Sequence, residues 1–178
     1  RNGADLDAAK KKRFKEVSME LAQLSLQFGE NLLAETNSYE LIITNESDLK
    51  GLPKDVIGRA KQTAEKKGHK GKWVFTLQAP SYIPFMEHAE NRTLREQFYR
   101  AYMGKCFKGD DKDNQEIIKK TVVLRAELAT LLGYKTYAHY VLEERMAEKP
   151  EKVKDFLQDL LEKSLPKAKD EFEEIKNY

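Results

Sequence analysis

The segment from Lys72 to Phe85, KWVFTLQAPSYIPF, constrains the fold of this chain more than any other stretch. Its first part, Trp73–Leu77, is rich in aromatic and β-branched residues, which is typical of a β-strand. Pro80 and Pro84 follow, and a proline cannot donate to a strand ladder and disfavours helix in the residue before it. We call Lys72–Phe85 the junction segment and predict that the layers of the fold meet here, with Trp73 largely buried. A strand-to-helix corner with a purely structural role is the alternative.

Upstream of the junction segment, the pattern predicts a long helix, a short strand and a second helix. The first helix should end at Asn37 and Ser38. Apolar residues at spacings of three and four form one of its faces: Phe14, Val17, Leu21, Leu24, Phe28 and Leu32. Tyr39–Thr44 is predicted as a strand that pairs with the strand of the junction segment, in either direction because the link is long enough for both. The second helix should open at Pro53 and end before Gly68.

Downstream of the junction segment, every pattern is helical. One helix is predicted over Met86–Lys105, followed by a break between Gly104 and Gly109. Four further features are expected: a helix that closes at Gly133, a short helix capped by Thr136, a last helix that begins at Pro150, and a kink at Pro166. The last helix carries an apolar stripe of Val153, Phe156, Leu157, Leu160, Leu161 and Leu165. The predicted fold class is mainly α, a multi-helix array with one small two-stranded β element.

Composition excludes several classes of protein. The 32 basic and 30 acidic residues nearly balance, which argues against a nucleic-acid or membrane-surface partner. The sequence contains no apolar run of about 18 residues, so no membrane span is predicted. The single cysteine, Cys106, cannot form an internal disulfide, which suits a reducing compartment. We therefore expect a cytoplasmic protein, or a periplasmic one if a longer parent carries a signal peptide.

The candidates for metal binding are three histidines and their acidic neighbours. His69 lies in a turn between lysines and is expected at the surface, whereas Glu87, His88 and Glu90 are expected to cluster on one helix. His139 and Glu143 are four residues apart, a spacing that presents two ligands on one helical face, but a zinc site needs at least three protein ligands.

The residues alone therefore reveal no active site. The sequence contains no His-Glu-x-x-His, no Gly-x-Ser-x-Gly and no phosphate-binding glycine loop. Sequence reasoning places no histidine beside Cys106. We assign no catalytic or metal-binding residue, and the substrate-binding residues stay unknown.

Several short motifs resemble, in order and spacing, the thimet oligopeptidase and peptidyl-dipeptidase family of zinc metallopeptidases. The junction segment carries Thr-Leu-x-x-Pro-Ser-Tyr-x-Pro-Phe. The other matching stretches are Leu24–Phe28 with Asn31, Thr36-Asn37, Leu49–Pro53, Arg92–Glu96, Asp113-Asn114, Leu124–Glu127 and Leu131–Tyr134. The resemblance covers essentially the whole chain, and within the family it is nearest to the bacterial peptidyl-dipeptidase branch.

This resemblance implies a role in a larger enzyme that cleaves short peptides. The family's zinc site, a His-Glu-x-x-His helix plus a downstream glutamate, does not occur here, so none of its roles can be assigned to a residue of this chain. Residues 1–178 are thus expected to be a single helical fragment, N-terminal to the parent's zinc-binding region, that forms part of the channel wall. Its expected partners are short peptides, in the parent, and the missing C-terminal catalytic region; zinc is expected in the parent and not in this fragment.

A fragment also agrees with the ends of the sequence, since the chain starts at Arg1 without a methionine and stops at Tyr178 within a helical pattern. Such a fragment should be inactive alone, and it should present an apolar face where the missing half packs. The alternative is a free-standing helical module that binds a partner helix or peptide in an apolar groove.

Overall fold

A computed structural model describes residues 3–178, which are mainly helical as predicted. In chain order the elements are α1 (Ala8–Ser38), β1 (Leu41–Ile43), a 3-10 helix (Glu46–Leu49), α2 (Lys54–Lys66), β2 (Trp73–Phe75), α3 (Ala79–His88), α4 (Arg92–Met103), α5 (Gln115–Leu131), α6 (Tyr137–Leu142) and α7 (Pro150–Asn177). They form two compact units. The central unit comprises Ala22–Lys120, and the terminal unit comprises Thr121–Tyr178 with the chain before Ala22.

The two strands form the predicted pair, and their direction is antiparallel. Leu41 lies opposite Phe75 and Ile43 lies opposite Trp73. Each strand has three residues, so both are shorter than the β-rich runs that predicted them. The sheet is therefore a small two-stranded element within a helical unit, as the sequence indicated.

The junction segment supplies the centre of the hydrophobic core of the central unit. Phe75, Leu77 and Phe85 are at most 2% exposed and belong to one cluster with Phe98. The Phe85 ring meets the rings of Phe75 and Phe98 edge-on, with centroid distances of 4.7 and 5.2 Å. Edge-to-face packing of this kind adds to the stabilisation from apolar burial. The layers of this unit thus meet at the junction segment, as predicted.

The prediction that Trp73 is largely buried is met only in part. Trp73 is only partly buried and packs against the edge of the core cluster, whereas Val74 and Phe75 are each 1% exposed. Trp73 is the first residue of a three-residue strand. Fewer elements cover a side chain at the end of such a short strand than cover the residues that follow it.

The predicted single helix over Met86–Lys105 is also wrong, because two helices occupy this region. α3 already begins at Ala79, with Pro80 in its first turn, where a missing N–H leaves no hydrogen bond unmade. Pro84 lies inside α3. The chain becomes extended at Ala89, and the side chain of Asn91 then caps α4 by accepting a hydrogen bond from the Leu94 N–H.

The ends of the other predicted helices lie close to their expected positions. α1 ends at Ser38, and Gly68 and Gly133 adopt positive φ just after α2 and α5. Pro53 is the residue before α2 and not its first helical residue. Thr136 caps α6, with its hydroxyl oxygen accepting from the His139 N–H, and α7 begins at Pro150 as predicted.

In the terminal unit, a charged pair links α1 to α5. The guanidinium of Arg13 donates two hydrogen bonds to the carboxylate of Glu127, at 2.6 and 2.9 Å. This bidentate contact holds the pKa of Glu127 below its usual value. α7 runs unbroken past Pro166, and the kink expected there stays a prediction. Among residues 3–178, the structure contains no helix that is both long and apolar enough to cross a membrane.

Candidate functional site

His69 is partly exposed, and its side chain takes part in a polar cluster with Glu40 and Lys67. Its Nε2 lies 2.8 Å from the carboxylate of Glu40, and the other oxygen of that carboxylate accepts a hydrogen bond from Lys67 Nζ at 2.8 Å. The bonds from Lys67 and His69 hold the pKa of Glu40 below its usual value. The cluster joins the residue just before β1 to the end of α2, so its contacts are those of a structural link.

Glu87 shares α3 with His88 as predicted, but Glu90, the third member of the predicted cluster, does not. His88 is the last residue of α3, and its Nε2 lies 3.8 Å from the Glu87 carboxylate. Glu90 lies beyond the helix end and pairs instead with Lys50, at 2.8 Å. The unpredicted break between α3 and α4 is the reason for this separation.

His139 and Glu143 lie at the expected spacing, but each is bonded to a residue outside the pair. His139 Nδ1 lies 2.8 Å from the Thr136 hydroxyl, and its Nε2 lies 3.7 Å from a Glu151 oxygen. The Glu143 carboxylate accepts a hydrogen bond from the Tyr134 hydroxyl at 2.5 Å. Within the described range 3–178, no group of three His, Cys, Asp or Glu residues is placed to hold a metal ion. The residues present therefore do not fit a zinc site.

Among the charged groups of residues 3–178, Glu35 is the most deeply buried, and it was not among the predicted candidates. Glu35 is 4% exposed and lies near the end of α1. One of its oxygens accepts a hydrogen bond from the backbone N–H of Cys106 at 2.7 Å, and the other accepts one from the ammonium of Lys108. Burial raises the pKa of Glu35, but these two bonds outweigh it and the net shift is downward. The carboxylate thus stays ionised and anchors the loop between α4 and α5.

Asn114 completes this buried polar cluster. It is 2% exposed; its side chain accepts from the Asn31 amide at 2.9 Å and donates to the Phe28 carbonyl at 3.2 Å. Its backbone N–H donates to the Cys106 carbonyl at 2.9 Å. One face of α1 therefore changes from apolar to polar side chains near its end. In the sequence, this change is visible only as two polar residues, Asn31 and Glu35, at a helical spacing of four.

The thiol of Cys106 lies in this cluster, and its surroundings disfavour reactivity. Burial raises the pKa of the thiol, and the adjacent Glu35 carboxylate raises it further. The thiolate is the nucleophilic form, so a raised pKa weakens nucleophilic attack. The polar cluster can therefore fix a loop, but its geometry does not support covalent catalysis by Cys106.

One side of α7 is an exposed apolar surface of the terminal unit. No residue of this 28-residue helix is buried. We define the α7 face as seven large apolar side chains that are 41–74% exposed: Phe156, Leu157, Leu160, Leu161, Leu165, Phe172 and Ile175. The predicted stripe ends at Leu165, whereas the α7 face continues beyond Pro166. An apolar face of this size is a candidate interaction surface.

Comparison with known proteins identifies the family. The profile of Peptidase family M3 matches residues 85–178. The chain is 41% identical to oligopeptidase A of Haemophilus influenzae and 40% identical to the organellar oligopeptidase A of Arabidopsis thaliana, over 99% of its length in both cases. It is 32% identical, over 97% of its length, to dipeptidyl carboxypeptidase of Escherichia coli.

These proportions correct one expectation and confirm another. The predicted nearness to the peptidyl-dipeptidase branch is wrong, because identity is higher to the two oligopeptidases A than to the dipeptidyl carboxypeptidase. The chain covers 26%, 23% and 25% of these three relatives, so it spans about a quarter of their length. The family predicted from the motifs is confirmed, and the chain belongs to Peptidase family M3.

Proposed function

We propose that this chain is a helical region of an M3 zinc metallopeptidase that cleaves short peptides. It would lie N-terminal to the zinc-binding region, contribute to the wall of the substrate channel and be inactive alone. The observation that carries the proposal is the 41% identity to an oligopeptidase A, which extends over 99% of this chain but only 26% of the relative. The metal-binding residues would then belong to the part of the enzyme outside the matched quarter.

The contacts of the histidines support the proposal that the metal-binding residues belong to another part of the enzyme. His69 is bonded to Glu40 and His139 to Thr136, and His88 lies at the end of α3 near Glu87. A catalytic zinc needs three converging protein ligands, and it supplies a Lewis acid and an activated water when bound. Since the three histidines lie in separate settings, we assign this chain a structural part and no step of the chemistry.

The proposed partners are short peptides and the remaining region of the same enzyme. In the proposed role, the packed core of the central unit around Phe75, Phe85 and Phe98 would hold the channel wall in a fixed conformation. We also propose a cytoplasmic location, on the strength of a single cysteine that is free and buried.

A chimera tests this proposal. In the Haemophilus influenzae relative, this chain would replace the aligned segment, and hydrolysis of a quenched fluorescent peptide would be measured beside the unaltered relative. We expect the chimera to fold and to cleave the peptide in a chelator-sensitive reaction. The Haemophilus influenzae relative with the aligned segment deleted serves as the control and should be inactive.

A chimera that is folded, monodisperse and zinc-loaded but has no peptidase activity would contradict the proposal. The alternative of an independent interaction module makes the opposite prediction, because such a module would not restore cleavage when transplanted. The two candidate functions are thereby distinguished in one assay.

A further inference from the structure

We infer that the α7 face is a docking surface for another part of the same peptidase and does not line the peptide channel. This inference rests on the proposed function and deepens it by assigning one surface. The occupant is an apolar element from the three quarters of the enzyme that this chain does not cover, as judged from the length of its relatives.

The two sides of α7 differ in whether their side chains have partners within this chain. On the polar side, charges pair within the helix, as in Lys163 with Asp159 at 2.7 Å and Lys176 with Glu173 at 2.9 Å. These groups need no external partner. The α7 face, in contrast, remains open to solvent along the helix although an amphipathic helix normally packs its apolar side on a core.

The size of the α7 face fits a protein surface. It extends over the residues from Phe156 to Ile175, which is roughly 30 Å at the usual rise of a helix. Seven large side chains over that length amount to several hundred Å², approaching the roughly 800 Å² per partner of a stable protein interface. Covering such a surface requires an extended apolar partner, such as a second amphipathic helix.

The one hydroxyl among the leucines of the α7 face is not free to donate to a peptide backbone. Peptide-binding surfaces combine apolar pockets with polar groups that fix the main chain. Ser164 lies between the leucines of this face, and its hydroxyl donates to the carbonyl of Leu160 at 2.7 Å. That hydroxyl proton is therefore used within the helix. The family match supports the assignment, since the M3 profile includes the whole of α7.

The experiment uses the full-length chimera with two matched substitutions, Leu161→Asp on the α7 face and Lys163→Asp on the polar side. Leu161 is 50% exposed in this chain and Lys163 is more exposed, so both substitutions would be mild if both sites stayed open. We expect Leu161→Asp to lower the thermal midpoint by several degrees more than Lys163→Asp, with KM unchanged in the remaining active enzyme. Leu161→Ala should also lower the midpoint, which keeps the test valid if the aspartate variant does not fold.

Three results would overturn the inference. Equal midpoints for Leu161→Asp, Leu161→Ala and Lys163→Asp would show that the α7 face stays exposed. A raised KM with an unchanged midpoint would place it in the channel. A dimeric chimera that becomes monomeric with Leu161→Asp, at an unchanged midpoint, would assign the face to a second copy. An inactive unsubstituted chimera would instead contradict the proposed function, so the two failures are distinguishable.

Discussion

The carboxylate of Glu35 lies 2.7 Å from the backbone nitrogen of Cys106, 71 residues further along the chain. Cys106 has a φ of 55°, in the left-handed region that a non-glycine residue rarely adopts. The hydrogen bond to Glu35 satisfies the buried N–H of this unusual residue. It also joins the end of α1 to the loop between α4 and α5, two parts of the central unit that are far apart in sequence.

Replacement of Glu35 by alanine should destabilise the central unit. The Cys106 N–H would be buried without a partner, and the cost of such an unsatisfied donor is about 1–3 kcal/mol. Urea unfolding followed by circular dichroism measures the change. Glu30→Ala, at an exposed position earlier on α1, is the matched control and should change the free energy of unfolding little. Equal effects of the two substitutions would contradict this role for Glu35.

The stability of the chain should fall in acid in a way that depends on Glu35. Its pKa in the folded chain lies below the ordinary value of 4.5, so the unfolded chain binds its proton first as the pH falls. The stabilisation is therefore fully present above about pH 4.5 and is lost as the pH falls through the lower, folded value. Glu35→Gln should be less stable at pH 7, and its difference from the native chain should shrink below pH 4.5. A difference that stays constant from pH 7 to pH 3 would exclude this linkage.

The sequence predicted those parts of the fold that depend on local patterns. The helical spacing from Val17 to Leu24 and the glycines after α2 and α5 are properties of neighbouring residues, and they indicated elements and helix ends correctly. The helix break before Arg92 was missed, because an asparagine cap is a weak signal beside two prolines. The burial of Trp73 was overestimated, because burial depends on which elements cover the end of a short strand.

The polar cluster and the α7 face show why the candidate sites were harder to predict. The hydrogen-bond partners of Glu35, Cys106 and Lys108, come from more than 70 residues away. No local pattern around Glu35 encodes those partners. The exposure of the stripe around Leu161 likewise depends on what packs against α7, although the stripe itself was visible in the sequence.

Two glycines should respond in opposite ways to replacement by alanine. Gly51 has a φ of 86°, and a Cβ there would lie 2.2 Å from the His88 carbonyl oxygen, so Gly51→Ala should destabilise the chain by at least about 1–2 kcal/mol. Gly29 lies inside α1, where an added methyl group would meet no atom within 4 Å, and Gly29→Ala should stabilise the chain by about 0.5–1 kcal/mol. Thermal unfolding of both variants tests the pair. A neutral Gly51→Ala would show that the approach of His88 is not required for the fold.

The isolated chain should neither bind zinc tightly nor cleave peptides. A catalytic zinc needs three protein ligands about 2.0–2.3 Å from the metal and an open position for water. His69 is bonded to Glu40, and His139 is bonded to Thr136, so recruiting either would break an existing contact. Zinc titration by calorimetry and release of fluorescence from a quenched peptide are the measurements. His69→Ala, His88→Ala and His139→Ala are the controls, because any weak binding by a surface histidine should disappear with one of them. Sub-micromolar zinc affinity, or chelator-sensitive cleavage by the purified chain, would show that an active site lies within these residues.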